Sequence, residues 1–445
     1  MPTIAAIATP PGQGAISLIR VSGPTVREIG DTVFSGRTKA LNPRLQNFGK
    51  IVDSKGETID EVLLTFFANP QSYTGEDTLE ISCHGGILVT QRVLERIFQA
   101  GARAALPGEF SQRAFLNGKM DLTQAEAVMD LISAQTDLAL KAAHEQLAGR
   151  LGSRLLELRQ DLIGVVAHVE AYIDFPDEDI DPESSEEIVS KIRTIRAEVD
   201  ELVATADQGK ILREGVRTVI CGAPNVGKSS LLNVLLGFDR AIVSDTAGTT
   251  RDTIEEVINL RGIPLRLVDT AGVRESEDAI EREGISRTQA QVENAELVLE
   301  LVDVSLPQSE WTPVTVPESA RYVRVKNKSD LGIDPSWENE DGIAISCETR
   351  DGVEGLSDSI FRLLSGSGNV FASTNLIAIN ARHKHALIEG REFLDAAAGR
   401  LSNGESPEFA GLELRAALDS IGEVIGKTDV EEILGEIFSA FCIGK

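Results

Sequence analysis

The stretch that decides the fold reads Val216-Arg-Thr-Val-Ile-Cys-Gly222-Ala-Pro-Asn-Val-Gly227-Lys228-Ser229-Ser230-Leu-Leu-Asn-Val-Leu-Leu236. An apolar run of strand length is followed by a G-x-x-x-x-G-K-S turn and then by a helical pattern. That context separates a phosphate loop from an ordinary glycine turn. Backbone N–H groups and the helix N-terminus would face a β-phosphate, Lys228 would reach the β and γ oxygens, and the Ser229 hydroxyl would ligate Mg²⁺. Working outward, apolar strand-length runs recur at 263–269, 297–303, 322–326 and 342–346, separated by helical patterns. Such alternation predicts βαβ units and a mostly parallel sheet.

A phosphate loop does not name the base. Asn327-Lys328-Ser329-Asp330 follows a predicted strand as N-K-x-D. The Asp330 carboxylate can accept from the two adjacent N–H donors of a guanine edge, which adenine does not offer, so the expected nucleotide is GTP. Asp269-Thr270-Ala271-Gly272 ends another strand, with Asp269 placed to hold Mg²⁺ through water and the Gly272 N–H to sense a γ-phosphate. Between the phosphate loop and Asp269 lies Gly248-Thr249-Thr250-Arg251-Asp252, whose Thr250 is the expected second hydroxyl on Mg²⁺ in a mobile switch. Ser346-Cys347 should back the guanine. These ordered elements predict a GTPase domain over 214–370. Val273 stands where Ras-like enzymes carry the glutamine that orients water. Asn225 suggests another device: an amide oxygen that could help hold a monovalent cation supplying positive charge beside the phosphates.

The flanks differ in texture. Residues 1–118 mix strand-like runs at 15–21 and 62–67, Gly and Pro punctuation and a helical stretch at 88–99, predicting a compact α+β domain. From Asp121, Leu122, Ala125, Val128, Met129 and Ile132 recur at helical spacing, with Thr123-x-x-Glu126 read as a capping box. The helical pattern runs on to about 208. It is interrupted at 174–187, where eight acidic residues and two prolines in 14 positions oppose a helix and predict a solvated loop. Helical periodicity returns after 368, through Leu387, Leu394, Leu412, Leu418 and Ile433. The expected organisation is an α+β domain at 1–118, a helical domain split into 119–213 and 371–445, and the α/β domain at 214–370 inserted into it.

Composition limits the function classes. With 43 Lys and Arg against 70 Asp and Glu, the formal charge of −27 argues against a broadly basic nucleic-acid coat and leaves room only for a local basic patch. Four cysteines without paired spacing make neither a disulfide framework nor a zinc site, which fits a reducing cytoplasmic setting. Cys83, Cys221 and Cys347 read as small buried hydrophobes. Cys442 could instead be a nucleophile whose pKa Lys445 lowers. His84 reads as a satisfied turn histidine, and His383 and His385 point to different sides of a helix. No apolar run is long enough to span a membrane; the best core stretch, 297–304, holds Glu300 and Asp303.

The combination of Pro-Asn-x-Gly-Lys-Ser-Ser, Gly-Thr-Thr-Arg-Asp, Asp-Thr-Ala-Gly and Asn-Lys-x-Asp resembles the TrmE-Era class of GTPases, several of which are ribosome-assembly factors. The flanks Ile4-Ala-Ala-Ile-Ala-Thr-Pro-Pro-Gly12, Tyr73-Thr-Gly-Glu-Asp77, Pro107-Gly-Glu-Phe-Ser-Gln-Arg-Ala-Phe-Leu-Asn117 and Phe441-Cys-Ile-Gly-Lys445 are similar, within that class, to the MnmE (TrmE) family of tRNA uridine-modification GTPases. The resemblance implies a folate-binding N-terminal domain that mediates homodimerisation, and an inserted K⁺-dependent GTPase domain that dimerises during hydrolysis. It implies a flavoprotein partner (MnmG, GidA), in a heterotetramer or larger complex, which carries FAD and uses NADH. The pair would install a carboxymethylaminomethyl or aminomethyl group at C5 of the wobble uridine, position 34, of certain tRNAs. The one-carbon unit would come from a tetrahydrofolate derivative, 5,10-methylene- or 5-formyl-tetrahydrofolate.

Carried over by position, the family's GTP contacts fall on Asn225, Val226, Gly227, Lys228, Ser229 and Ser230, on Ser244 through Thr250, and on Asp269 through Gly272. Its Mg²⁺ ligands fall on Ser229 and Thr250, and its K⁺ shell on Asn225, Ser244, Thr246 and Thr249. Glu281 matches the carboxylate that orients water. Arg20, Glu80, Lys119 and Lys445 match folate-binding positions, and Cys442 a cysteine needed for modification. The competing reading is a ribosome-assembly GTPase acting as an RNA-binding switch. A basic module after the GTPase domain would favour it, whereas here the chain continues as a helical block.

Overall fold

The computed structural model describes residues 1–36, 41–174, 185–238, 256–268, 289–365 and 377–427, and beyond these Leu434, Ile437, Phe438, Phe441, Cys442 and Gly444. The chain divides into two compact units. One comprises Met1–Met129, Leu151–Gly164 and Arg415–Lys445, the other Asp130–Arg150 and Val165–Leu414.

In chain order the first unit opens with β1 (Ile4–Ile7), β2 (Ile16–Ser22), α1 (Val26–Val33), β3 (Phe34–Gly36), β4 (Gln46–Val52), β5 (Thr58–Phe67), β6 (Thr78–His84), α2 (Ile87–Gln99), β7 (Arg103–Ala104), α3 (Glu109–Leu116) and α4 (Leu122–Ser133). The strands form one sheet in the order β3-β4-β5-β6-β2-β1-β7. Pairing is antiparallel apart from the β1–β7 edge. The period-2 pattern turns Ile19, Val21, Ile51, Val62, Leu64, Phe66, Leu79 and Ile81 to one face, where Val26, Ile29 and Val33 of α1 and Val93 and Ile97 of α2 cover them. The other face carries Arg20 opposite Glu80.

The start of α4 corrects one expectation. Asp121, not Thr123, is the cap: its Oδ1 accepts from Gln124 N at 2.9 Å and from Thr123 Oγ1 at 2.7 Å, while Gln124 Oε1 accepts from Asp121 N at 3.0 Å. The capping box is therefore Asp121 with Gln124. Thr123 is already inside the helix and fully buried, so its hydroxyl turns back to the cap instead of serving as one.

Next come α5 (Asp137–Leu147), α6 (Arg150–Asp174), α7 (Ser185–Ala204) and α8 (Ala206–Glu214). The acidic loop expected at 174–187 lies, apart from its ends, outside the described residues. The second sheet is built from β8 (Val216–Gly222), β9 (Glu256–Leu260), β10 (Ile263–Leu267), β11 (Leu297–Asp303), β12 (Arg321–Asn327) and β13 (Ile343–Ala344), with α9 (Lys228–Phe238) following β8. Its order is β13-β12-β11-β8-β10-β9. It is parallel except for the β9–β10 hairpin, as a phosphate-loop α/β domain requires. Leu297, Leu299 and Leu301 of β11 face Leu231, Leu232 and Leu235 of α9 and Val353, Leu356 and Ile360 of α10 (Val353–Ser365).

Helical structure resumes with α11 (Ala381–Ser402) and α12 (Pro407–Val424). α11 packs on α7, with Leu387 and Leu394 of the one and Ile192, Ile195 and Val199 of the other buried and Arg196 and Asp395 pairing at 3.1 Å. His383 is buried and completes a capping box with Asn380, whereas His385 is exposed, so the two histidines do point apart. Among the described residues no helix is long and apolar enough to cross a membrane, and no group of His, Cys, Asp and Glu is arranged to hold a metal ion.

Candidate functional site

The phosphate loop leaves the C-terminal end of β8 and is folded by three residues with positive φ: Gly222 at 141°, Asn225 at 62° and Gly227 at 99°. A Cβ on Gly222 would lie 2.3 Å from the Leu301 carbonyl oxygen, and one on Gly227 would lie 2.3 Å from Asn327 Nδ2. Both glycines are thus required by space as well as by conformation. α9 starts at Lys228, so its unpaired N-terminal N–H groups open onto the loop, a ready anion site. Lys228 Nζ donates to Gly222 O at 3.0 Å and Ala223 O at 2.9 Å, which folds the ammonium over the loop; burial pulls its pKa below the ordinary lysine value. Ser229 is half-buried and Ser230 exposed on the first turn of α9, and Asn225 is exposed.

Asn327 joins the loop to the N-K-x-D turn. Its Nδ2 donates to Val226 O at 2.8 Å, and its Oδ1 accepts from Cys347 N at 3.1 Å. One buried amide therefore ties the phosphate loop, the end of β12 and the Ser346-Cys347 turn together, with both its donor and its acceptor in use. Lys328 adopts φ 63° and donates to Asp303 Oδ2 at 2.6 Å. Asp330 is exposed on the short turn Ser329–Leu331, and Ser346 is fully buried, its N–H donating to Asp351 O at 2.9 Å. Burial first, then the Glu300 charge, pushes the Cys221 thiol up to about 12; burial and Asp330 push Cys347 up to about 11. Cys221 is buried as expected, whereas Cys347 is only half-buried; both shifts disfavour the thiolate.

The candidate residues Ser244, Asp245, Thr246, Ala247, Gly248, Thr249, Thr250, Asp269, Thr270, Ala271, Gly272, Glu281 and Lys445 lie outside the described residues.

In the N-terminal sheet, Arg20 donates from Nε at 3.0 Å and from Nη2 at 2.8 Å to Glu80 Oε1, and its guanidinium lies 5.0 Å from the Tyr73 ring and 5.8 Å from that of Phe110. Two of the four candidate folate residues are thus brought together between aromatic faces. Lys119 donates to Pro70 O at 3.0 Å, and its stem runs beside Gly75. Sequence reasoning did not assign what joins the two quoted motifs. Tyr73 Oη lies 2.7 Å from Ser111 Oγ, Asn117 Nδ2 donates to Thr74 O at 2.7 Å, and Arg113 donates to Glu76 Oε2 at 2.9 Å and to Glu109 Oε1 at 2.8 Å. Burial raises the Glu109 pKa, but hydrogen bonds from Arg103, the Leu106 N–H and Arg113 outweigh it and bring it down to about 2. The signal was present in part, since 73–77 holds two carboxylates and no cation while 107–117 supplies Arg113. Cys442 is exposed; its carbonyl accepts from Gly108 N at 3.5 Å, and a Cβ on Gly444 would lie 2.4 Å from Ile7 O of β1.

Comparison with known proteins gives a family for this arrangement. Residues 122–442 match the profile described as MnmE helical domain, and residues 3–119 match GTP-binding protein TrmE N-terminus. A tRNA modification GTPase MnmE from Akkermansia muciniphila is 54% identical over 444 residues, spanning 100% of this chain and 99% of that protein. A protein of the same name from Natranaerobius thermophilus is 44% identical over 455 residues, with the same coverage. Among solved structures, the FeoB G-domain from Methanococcus jannaschii covers 34% of this chain and 98% of its own at 23% identity; its TM-score of 0.25 is too low to carry an argument.

Proposed function

The chain belongs to the MnmE (TrmE) family of tRNA modification GTPases, and on that premise we propose that it is a K⁺-dependent GTP hydrolase working with a flavoprotein of the MnmG (GidA) type on the wobble uridine of tRNA. In this reading the pair adds a carboxymethylaminomethyl or aminomethyl group at C5 of uridine 34, with the carbon supplied by a tetrahydrofolate derivative. FAD and NADH belong to the partner. The active chain is a cytoplasmic homodimer divided into a folate domain at 1–118, a helical domain at 119–213 and 371–445, and a GTPase domain at 214–370.

One observation carries the reading: Asn327 binds Val226 of the phosphate loop and Cys347 beyond the N-K-x-D turn at once, so phosphate and base recognition are built as a single body. The residues present fit the nucleotide, because the positive φ of Gly222, Asn225 and Gly227 folds a loop onto which the N-terminal N–H groups of α9 open. Ser229 and Thr250 would hold Mg²⁺; Asn225, Ser244, Thr246 and Thr249 would hold K⁺; Glu281 would orient water. Bound cations would supply the positive charge that offsets charge developing on the phosphates. Arg20, Glu80, Lys119 and Lys445 would hold the folate, and Cys442 would serve the modification, not the hydrolysis. The cation assignment is tested by replacing Na⁺ with K⁺ at constant ionic strength. GTP turnover should rise sharply, and equal rates in both salts would remove the cation from the mechanism.

A further inference from the structure

β11 ends at Asp303 in register with Asn327 of β12, and Val304 N donates to Asn327 O at 3.1 Å. The next residue of the second strand, Lys328, is a non-glycine residue at φ 63°, a conformation that needs support from its surroundings. Asp303 supplies it. Its Oδ2 accepts from Lys328 Nζ at 2.6 Å, and its Oδ1 accepts from Ser305 N at 3.1 Å and Ser305 Oγ at 2.6 Å. The Asp303 side chain is 10% exposed and that of Lys328 32%. Ser305 thus holds Oδ1 and leaves Oδ2 to the lysine. Burial raises the Asp303 pKa, but the hydrogen bonds from Lys328 and Ser305 outweigh it, and the carboxyl stays below its ordinary value.

We propose that Asp303 is a positioning residue of the nucleotide site: by anchoring Lys328 it holds the left-handed turn that sets Asn327 toward the phosphate loop and presents Asp330 to the guanine base. The inference rests on the GTP reading and adds to it a residue outside the four sequence motifs. Lys328 follows Asn327 and opens the turn Ser329–Leu331 that carries Asp330, so its backbone direction sets the angle between the tie and the base reader. A carboxylate there acts through the lysine and touches no nucleotide atom.

The test uses the full chain with fluorescent GDP and GTP. Asp303→Ala should weaken both nucleotides by about tenfold, the scale of one charge-assisted hydrogen bond, raising KM and leaving kcat at saturating GTP within about twofold. Asp303→Asn keeps one acceptor but sets an NH2 against a donor of Lys328 or Ser305, so it should recover only part of the loss. Lys328→Ala should match Asp303→Ala, and the double variant should lose no more than either alone, because the two act as one unit. If Asp303→Ala cannot be purified folded, the Asn and Lys328 variants carry the same comparison. Wild-type affinity in a folded Asp303→Ala protein, or additive losses in the double variant, would overturn the assignment. Failure of the unaltered chain to bind either nucleotide would instead sink the GTP reading.

Discussion

In the phosphate loop, position is set by the backbone: Gly222, Asn225 and Gly227 take positive φ, Lys328 does so across the site, and one buried amide locks the parts together. In the N-terminal sheet, position is set by charge. Arg20 grips Glu80, and Arg113, 1% exposed, bridges Glu76 and Glu109 while donating to Pro2 O at 2.8 Å. A loop made of backbone turns should fail when a Cβ is added, and acid reaches the site through the Asp303 anchor of Lys328. A site made of buried ion pairs should fail when one partner is removed, and should respond to acid. The contrast teaches where each kind of damage will be felt.

The largest effect is expected from Arg113→Ala, which strands Glu76 and Glu109 without their shared cation. Removing one partner of a buried pair costs about 3 to 5 kcal/mol. Hydrogen exchange of the strands and helices within 1–129 in the full chain should show that loss, while GTP turnover stays unchanged. Arg113→Lys should not restore it, because a single ammonium cannot reproduce the fork to Glu76, Glu109 and Pro2. A drop in turnover that matched the drop in protection would break the contrast between the two regions.

That contrast also explains what the sequence made legible. The strands at 216–222 and 297–303 were read to the residue, because a parallel sheet buried on both faces writes continuous apolar runs. The phosphate loop was readable because glycine spacing encodes backbone geometry directly. By contrast α1 and α3, 8 residues each, are two turns long and too short for periodicity to show. β9, Glu-Val-Ile-Asn-Leu, is short and mixed in polarity and was not read as a strand. Asp303 was hidden because its partner Lys328 is 25 positions away. Glu300 served only as an argument against a membrane span. It is a buried acceptor of Trp311 Nε1 at 3.2 Å and Val314 N at 3.0 Å, and it pins the loop between β11 and β12. Of the candidate site, the described residues of the phosphate loop and of the N-K-x-D turn meet through the Asn327 amide.

A smaller effect is expected from Gly227→Ala. The added methyl group meets Asn327 Nδ2 at 2.3 Å, and φ 99° is strained for any L side chain. GTP affinity should fall by on the order of a hundredfold, about 2.7 kcal/mol, without loss of exchange protection in 1–129. Nucleotide titration alongside hydrogen exchange reads both outcomes from one protein. Retained affinity would mean that the loop yields and that its position is not set by the backbone.

The smallest effect is a dependence on acid. Hydrogen bonds from Arg103, the Leu106 N–H and Arg113 outweigh burial and pull the Glu109 carboxyl from the ordinary 4.5 down to about 2. Because the folded value is depressed, the stabilisation is fully present above about pH 4.5 and is lost as pH falls from there through about 2. Arg103, one of its two cations, is 42% exposed, so solvent screening trims the contribution to on the order of 2 kcal/mol. Glu109→Gln isolates it, since the amide does not titrate. The stability gap between wild type and Glu109→Gln, followed by urea unfolding, should be constant from pH 7 to 5 and narrow steadily below 4.5. Carboxylates elsewhere in the chain shift both proteins alike and cancel in that difference. A gap that stayed constant down to pH 3 would mean that Arg103 and Arg113 do not hold Glu109 ionised, and that the N-terminal region is set by packing instead of charge.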